Sequence, residues 1–345
     1  MGKIGRRGTV RAFVTGAVVT ASILGAMVQT TAASAAPQQA DKPNTKVTAT
    51  KVDKSKFAKK GATTRGSGSS GGQTGDIDLA GKDDILAVGV NPPSLYVYPN
   101  KGYDAANPTA TYGSAVTINY NWGGQKWVGQ GKVNGDAFPD VLAIDGADNL
   151  YSHKHSGTFA GTGTLNGAQL ISTGWSGNNL VFVHDVDHDG IDDIVARKAG
   201  TEDFYYYRTT VVNGVITQSP AEFVIGFDSP SPIVDAAMAD FTADGVADFV
   251  LRLQNGGVIV YDITVGQPGT DYLISYGWTG INAFTISDVN SDGKPDILGR
   301  VAANGDLNLY PHTGTWAPAA DGTAFNTLGP IKVLGYQWNG LRIIT

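Results

Sequence analysis

DVNSDGKPDILGR, residues 288–300, sets three acids and an amide at spacings of two and four, then turns abruptly apolar. Like charges that close repel, so Asp288, Asn290, Asp292 and Asp296 need a reason to share one turn. A hard cation supplies it. Oxygen ligands on alternate residues of a tight loop surround Ca²⁺, and Gly293 permits the sharp reversal that aims them inward.

The stretch occurs five times along the chain, the opening copy included. DVDHDGIDD repeats it in full, with Asp185, Asp187, Asp189, Gly190 and Asp193. DFTADGVAD is close, with Asp240, Thr242, Asp244, Gly245 and Asp248. Two copies are worn. DIDLAGKDD keeps Asp76, Asp78, Gly81 and Asp84 but has Ala80 at a ligand position, and KVNGDAFPD keeps Asn134, Asp136 and Asp140 but begins with Lys132 and has Ala137 for the glycine. The ninth-position acids fall at 84, 140, 193, 248 and 296, a spacing that marks a repeat architecture.

Each acid loop runs into a β-like segment (DILAV, DVLAI, DIVAR, DFVLR, DILGR), and about ten residues later comes another (LYVY, LYSH, FYYY, VIVY, LNLY). Upstream of most loops lie an aromatic turn and a short strand, which brings each unit to four strands, the content of a propeller blade. An EF-hand is excluded, because its loop lies between helices and takes a bidentate Glu at position twelve. The final LGYQWNGLRIIT has an aromatic turn and a strand but no acid loop, whereas the loop at Asp76 has no strand before it. The two halves make one unit. The expected fold is an all-β, five-bladed propeller over residues 76–345, with Leu341–Thr345 paired into the blade that opens at Asp76 and the sheet edges removed by closure.

These units resemble FG-GAP/VCBS repeats, the calcium-loop blades of integrin α-subunit propellers and of many exported bacterial proteins. In blade number and aromatic turns the chain is also similar to five-bladed tachylectin-like lectins. It departs from the first family in having five blades where the integrin propeller has seven, and in its two eroded loops. The resemblance implies that each acid loop joins the first and second strands of a blade, on the face opposite the aromatic turns.

Read as Ca²⁺ sites, the loops offer side-chain oxygens at positions one, three, five and nine and a backbone carbonyl at seven. That set is Asp185, Asp187, Asp189, Ile191 and Asp193; Asp288, Asn290, Asp292, Lys294 and Asp296; Asp240, Thr242, Asp244, Val246 and Asp248; and, in reduced form, Asp76, Asp78 and Asp84. Ligand count ranks the loops at Asp185 and Asp288 first, then Asp240, then Asp76, for three to four structural ions. The Lys132 loop comes last, its ammonium standing in for the ion. The chain has no cysteine, and bound metal supplies rigidity that disulfides otherwise give an exported protein.

The ends read differently. Residues 1–35 combine a basic start, the apolar run AFVTGAVVTASILGAMV and a small-residue Ala33-Ser34-Ala35 site, the pattern of a secretory signal peptide. The run is short for a membrane span, so no span is expected and the protein is expected to be secreted. Arg6-Arg7 hints at the twin-arginine route, although GTV follows it poorly. Residues 36–75 lack apolar periodicity and read as a flexible basic, Gly/Ser-rich linker. Their eight Lys/Arg against two Asp suit contact with an anionic cell wall, or a solubilising spacer. Residues 76–345 carry a net charge of −16, which argues against nucleic acid as a partner.

No catalytic constellation emerges, and an enzyme is not expected. The five His are scattered; His184 and His188 flank an acid loop as solvent-facing turn residues, and His153 and His155 share a strand face but make too few ligands for a metal centre. The aromatic turns place Trp122, Trp175, Phe227, Trp278 and Trp338 at equivalent positions, and Tyr98, His153, Tyr207, Tyr261 and Tyr310 recur near the third strand's end. Two roles stay open for the tryptophans: wedges between blades, or platforms on which a sugar stacks. The expected function is binding, with carbohydrate of cell surfaces or extracellular polymers as the ligand, a protein-interaction scaffold or subunit of a secreted assembly as the alternative, and a hydrolase as the third reading.

Overall fold

A computed structural model describes residues 42–53, 75–263 and 269–345. The expected signal peptide, 1–35, and linker residues 36–41 and 54–74 lie outside the described residues. Five sheets form a five-bladed β-propeller. Blade 1 comprises β2 (Ile85–Gly89), β3 (Leu95–Tyr98), β4 (Val116–Asn119) and β23 (Leu341–Ile344). Blade 2 comprises β5 (Trp127–Gly131), β6 (Asp140–Ile144), β7 (Asn149–His155) and β8 (Leu165–Thr173). Blade 3 has β9 (Asn178–His184), β10 (Asp193–Lys198), β11 (Asp203–Tyr207) and β14 (Glu222–Asp228). Blade 4 has β15 (Ile233–Ala239), β16 (Asp248–Leu253), β17 (Val258–Asp262) and β18 (Thr270–Ser275). Blade 5 has β19 (Ile281–Ser287), β20 (Asp296–Val301), β21 (Leu307–Tyr310) and β22 (Lys332–Gly335).

Within a blade the strands, here A to D from the centre outward, run antiparallel. The B strands are apolar and buried on both faces, as ILAVG and DVLAI illustrate. The C strands of blades 1, 3 and 5 alternate buried and half-buried residues, the period-two pattern of a strand covered more fully on one side, whereas β17 of blade 4 is buried over Val258–Tyr261. The A strands surround a central channel of about 510 Å³ to which all five blades contribute. The buried apolar residues gather mainly at blade-to-blade junctions. Phe182 and Phe204 of blade 3, for instance, meet Phe249 of blade 4 at centroid distances of 6.1 and 5.3 Å.

Ring closure follows the expectation. β23 pairs antiparallel with β2, Ala87 opposite Ile344, so blade 1 is built from the start and the end of the propeller sequence.

Two features depart from the sequence reading. The flexible linker expected at 36–75 is not one over 42–53: β1 (Thr48–Val52) pairs antiparallel with β14 and gives blade 3 a fifth, outer strand. Val47 is buried in the blade 3–4 core, its amide donates to Asp271 Oδ2 at 3.0 Å, and Asn255 Nδ2 donates to Asn44 O. Alternation of Thr45, Val47 and Ala49 with polar residues is the signal, too short to stand out in a Lys/Thr-rich stretch. Between strands C and D, blade 3 also inserts a hairpin, β12 (Thr209–Val212) and β13 (Val215–Gln218), turned at Asn213-Gly214.

Candidate metal centre

Four of the five acid loops join an A strand to a B strand, the loop at Asp76 leads into β2 while its A strand is β23, and the ninth residue of each loop lies at the B strand's start. In four loops the reversal uses two left-handed residues, at positions four and six: Leu79 and Gly81, His188 and Gly190, Ala243 and Gly245, Ser291 and Gly293. A side chain at the first of these costs roughly 1 kcal/mol or more, a strain repeated four times in register. Blade 2 differs. Gly135 takes the left-handed position four, and Ala137 does not reverse the chain at six.

Backbone amides orient the carboxylates. Gly190 N–H donates to Asp185 Oδ2 at 3.0 Å, Gly293 N–H to Asp288 Oδ2 at 2.9 Å, and Gly245 N–H to Asp240 Oδ2 at 2.9 Å. The ninth-position acids Asp84, Asp140, Asp193, Asp248 and Asp296 are all fully buried. Each accepts an amide from the end of strand C or just past it, such as Thr209 N–H to Asp193 Oδ1 at 2.8 Å and His312 N–H to Asp296 Oδ1 at 2.8 Å. Burial pushes Asp84, Asp140 and Asp296 up to about 7 and Asp193 to about 8, and holds Asp248 well above the ordinary range. Oxygens of Asp185, Asp187 and Asp193 lie within 4.8 Å of one another, as do those of Asp76, Asp78 and Asp84; each cluster can hold a metal ion. Converging buried carboxylates suit a hard cation with oxygen ligands, and each cluster already has one basic side chain at its edge: Arg208 at Asp187 and Lys101 3.5 Å from Asp78.

The loops at Asp240 and Asp288 share the same turn, with Thr242 and Asn290 at position three, but their three acids do not converge as those of the Asp185 and Asp76 clusters do. Thr242 Oγ1 is buried without a partner, as are Asp76 Oδ1 and Asp140 Oδ2. In the worn blade 2 loop the ammonium beside the acids is Lys154, 3.4 Å from Asp136, and not Lys132 as expected. Lys132 instead donates its backbone N–H to Asp192 Oδ2 at 2.6 Å.

Sequence reasoning missed the cations next to the loops. Arg208, one residue past β11, places Nε 2.7 Å from Asp187 Oδ2 and Nη2 3.0 Å from Asp189 Oδ2. Lys154 occupies the same register in blade 2, and blade 4 has Asp262 there. It missed the inter-blade braces as well. Asn100 Nδ2 donates to Val289 O at 3.2 Å, and His155 and His312 bring Nε2 to 3.0 Å from Ile77 O and 3.2 Å from Phe241 O. All three grip the second residue of the preceding blade's loop. In both histidines Nδ1 accepts an amide, from Gly157 and Gly314, which fixes the proton on Nε2.

The opposite face carries the B–C and D–A turns. Trp122, Trp175, Trp278 and Trp338 donate their backbone N–H to Pro93 O, Asp148 O, Gly256 O and Gly305 O of the B–C turns. Their rings stack one to one on the third-strand series of the next blade: Trp122 on His153 at 4.8 Å, Trp175 on Tyr207 at 4.7 Å, Trp278 on Tyr310 at 4.1 Å and Trp338 on Tyr98 at 4.5 Å. Trp122, Trp175 and Trp278 are 3 % exposed, so these three expected sugar platforms are inter-blade wedges with no free face. Trp338 alone of the four is half-buried. Guanidinium groups staple the same junctions: Arg300 Nη1 donates to Trp338 O at 3.0 Å and to Leu341 O at 2.5 Å, and Arg342 Nη2 to Trp122 O at 3.0 Å.

His153 lies beneath Trp122, and His184, expected in solvent, is half-buried with its pKa pushed down to about 4 by burial.

Compared with known families and curated proteins, the chain matches no family model and no individual protein. No helix among the described residues is long and apolar enough to cross a membrane.

Proposed function

We propose that the chain is a secreted, calcium-stabilised propeller of the FG-GAP/VCBS kind that works as a carbohydrate-binding module rather than as a catalyst. Its calcium ligands are the acid-loop oxygens, and the ion serves a structural role. The observation that carries the reading is the division of labour between faces. The acid loops gather on one face, and on the other Tyr120 and Tyr336 stand 60 % exposed beside the aromatic turns. Exposed tyrosines among turn amides offer stacking and neutral hydrogen bonds, the contacts a sugar requires. The ligand is carbohydrate of cell surfaces or extracellular polymers.

Binding of the folded, calcium-loaded chain to a glycan array tests this, with and without chelator. Binding that fades with EDTA only as the fold loosens supports it; a stable protein that binds no glycan removes it.

An extracellular protein partner is the second reading, favoured by the β12–β13 hairpin, whose tip holds Val212 and Val215 at 57 % and 51 % exposure. Recovery of one stoichiometric partner from culture medium, lost with Val212→Ser/Val215→Ser, would put that reading first.

A further inference from the structure

The five junctions are not equivalent. At the junctions entering blades 3 and 5 the turn indole is closed off by a serine three residues earlier: Trp175 Nε1 donates to Ser172 Oγ at 2.9 Å, and Trp278 Nε1 to Ser275 Oγ at 2.8 Å. At the junction between blades 5 and 1 that residue is Gly335. A Cβ there would run into Trp338 Nε1, so only glycine lets the indole settle where it does. The Trp338 indole N–H accordingly has no side-chain acceptor among the described residues and is not sealed from solvent.

Beside it opens a cleft of about 530 Å³. Tyr96, Tyr98, Tyr336 and Trp338 supply aromatic surface, Gln337 and Asn91 supply amides, and no lining residue is charged. An apolar ligand would leave these amides and the N–H unanswered, and an ionic one would find no counter-charge. A neutral sugar answers both requirements. Its C–H face lies on an aromatic ring while its hydroxyls exchange hydrogen bonds with amides, phenols and the indole N–H. The volume lies in the range of small-ligand pockets and suits one or two sugar rings.

We propose that the blade 5–blade 1 cleft is a single neutral-saccharide site, with Tyr336 and Trp338 as aromatic contacts and Gln337 and Asn91 as hydrogen-bonding partners. This rests on the carbohydrate reading above and restricts it to one junction of five.

The test uses the full chain on an array of neutral gluco-, manno-, galacto-, xylo- and chito-oligosaccharides, followed by titration of the best binder. Tyr336 is largely exposed, so Tyr336→Ala leaves the fold intact, and Trp338→Phe keeps a ring while removing the N–H. Each is expected to weaken binding at least tenfold at an unchanged melting temperature. Trp175→Phe, the same change at a sealed junction, is expected to leave affinity as it was. Undiminished binding in both Tyr336→Ala and Trp338→Phe overturns the cleft while leaving the carbohydrate reading in place. Equal loss in Trp175→Phe overturns the single site. A parent protein that binds nothing on the array overturns the carbohydrate reading and the cleft together.

Discussion

Arg208 Nε stands 2.7 Å from Asp187 Oδ2, so the third acid loop already carries a cation belonging to the chain. By ligand count this loop ranks with the one at Asp288; with Arg208 across two of its acids it ranks lower. Calcium entering there must displace or share the guanidinium. Replacing Arg208 by Gln is expected to tighten calcium at this loop about tenfold, the order for one nearby charge under solvent screening. In EDTA the same variant is expected to melt below the parent, because Asp187 and Asp189 lose their counter-charge. Calorimetric titration beside paired melts measures both, and unchanged affinity with an unchanged apo melt would refute the competition.

The pH dependence of the cation-free protein has a definite sign. Asp84, Asp140 and Asp296 titrate at about 7 and Asp193 at about 8 in the fold, against 3.8 ordinarily. The folded state therefore holds these protons more tightly than the unfolded one. Their contribution is full below about pH 4 and is lost as pH rises through 7 to 8. In EDTA the melting temperature is expected to fall between pH 5 and pH 8. Calcium reverses the slope, since only ionised carboxylates coordinate it, and each site at 100 times its Kd adds about 2.7 kcal/mol. Scanning calorimetry across that interval, with and without calcium, is the check. Parallel curves would mean the loops bind no metal.

The outer strand of blade 3 makes the segment before the propeller part of its core. Val47 is 1 % exposed, and Val47→Ala is expected to cost about 2 kcal/mol in urea melts. Removing residues 42–53 uncovers β14 as well and is expected to cost more. A variant lacking them that melts like the parent would mean that β1 contributes nothing to stability.

Arg300 is 6 % exposed and donates to the carbonyls of Trp338 and Leu341 on either side of the closing turn. Truncation to Ala strands two acceptors, at about 1–3 kcal/mol for each that stays dry. Arg300→Ala is expected to lower the denaturation midpoint clearly, with Arg300→Lys intermediate, because an ammonium cannot reproduce the fork in which Nη1 holds the two carbonyls while Nε donates to Asn282 Oδ1 at 2.7 Å.

Blade number, strand order and the closing pair were legible because they rest on a nine-residue loop repeated in register and on a count of strands. Covalent neighbours carry that information. Arg208 and Asp187 are 21 positions apart, His155 and Ile77 farther still, and a single repeat gives no sign that strand C ends over its own loop or a neighbour's. The tryptophan series was visible as a series, yet the burial of its rings depends on Ser172, Ser275 and Gly335, residues that mean nothing until the junctions are seen side by side. β1 escaped because five residues of mixed polarity carry too little pattern against a Lys-rich background.

Pairing Ala87 with Ile344 joins positions about 250 residues apart. A ribosome working from the amino terminus makes the first blade's B strand early and its inner A strand only after the other four blades. Blade 1 thus waits with an open inner edge while the other four are made, and closing so long a loop is slow. Order of manufacture and order of completion run in opposite directions. A chain stalled or clipped before Leu341 would present that unfinished edge to any strand nearby, its own or another molecule's, so completion of β23 decides whether the product is a ring or an aggregate seed.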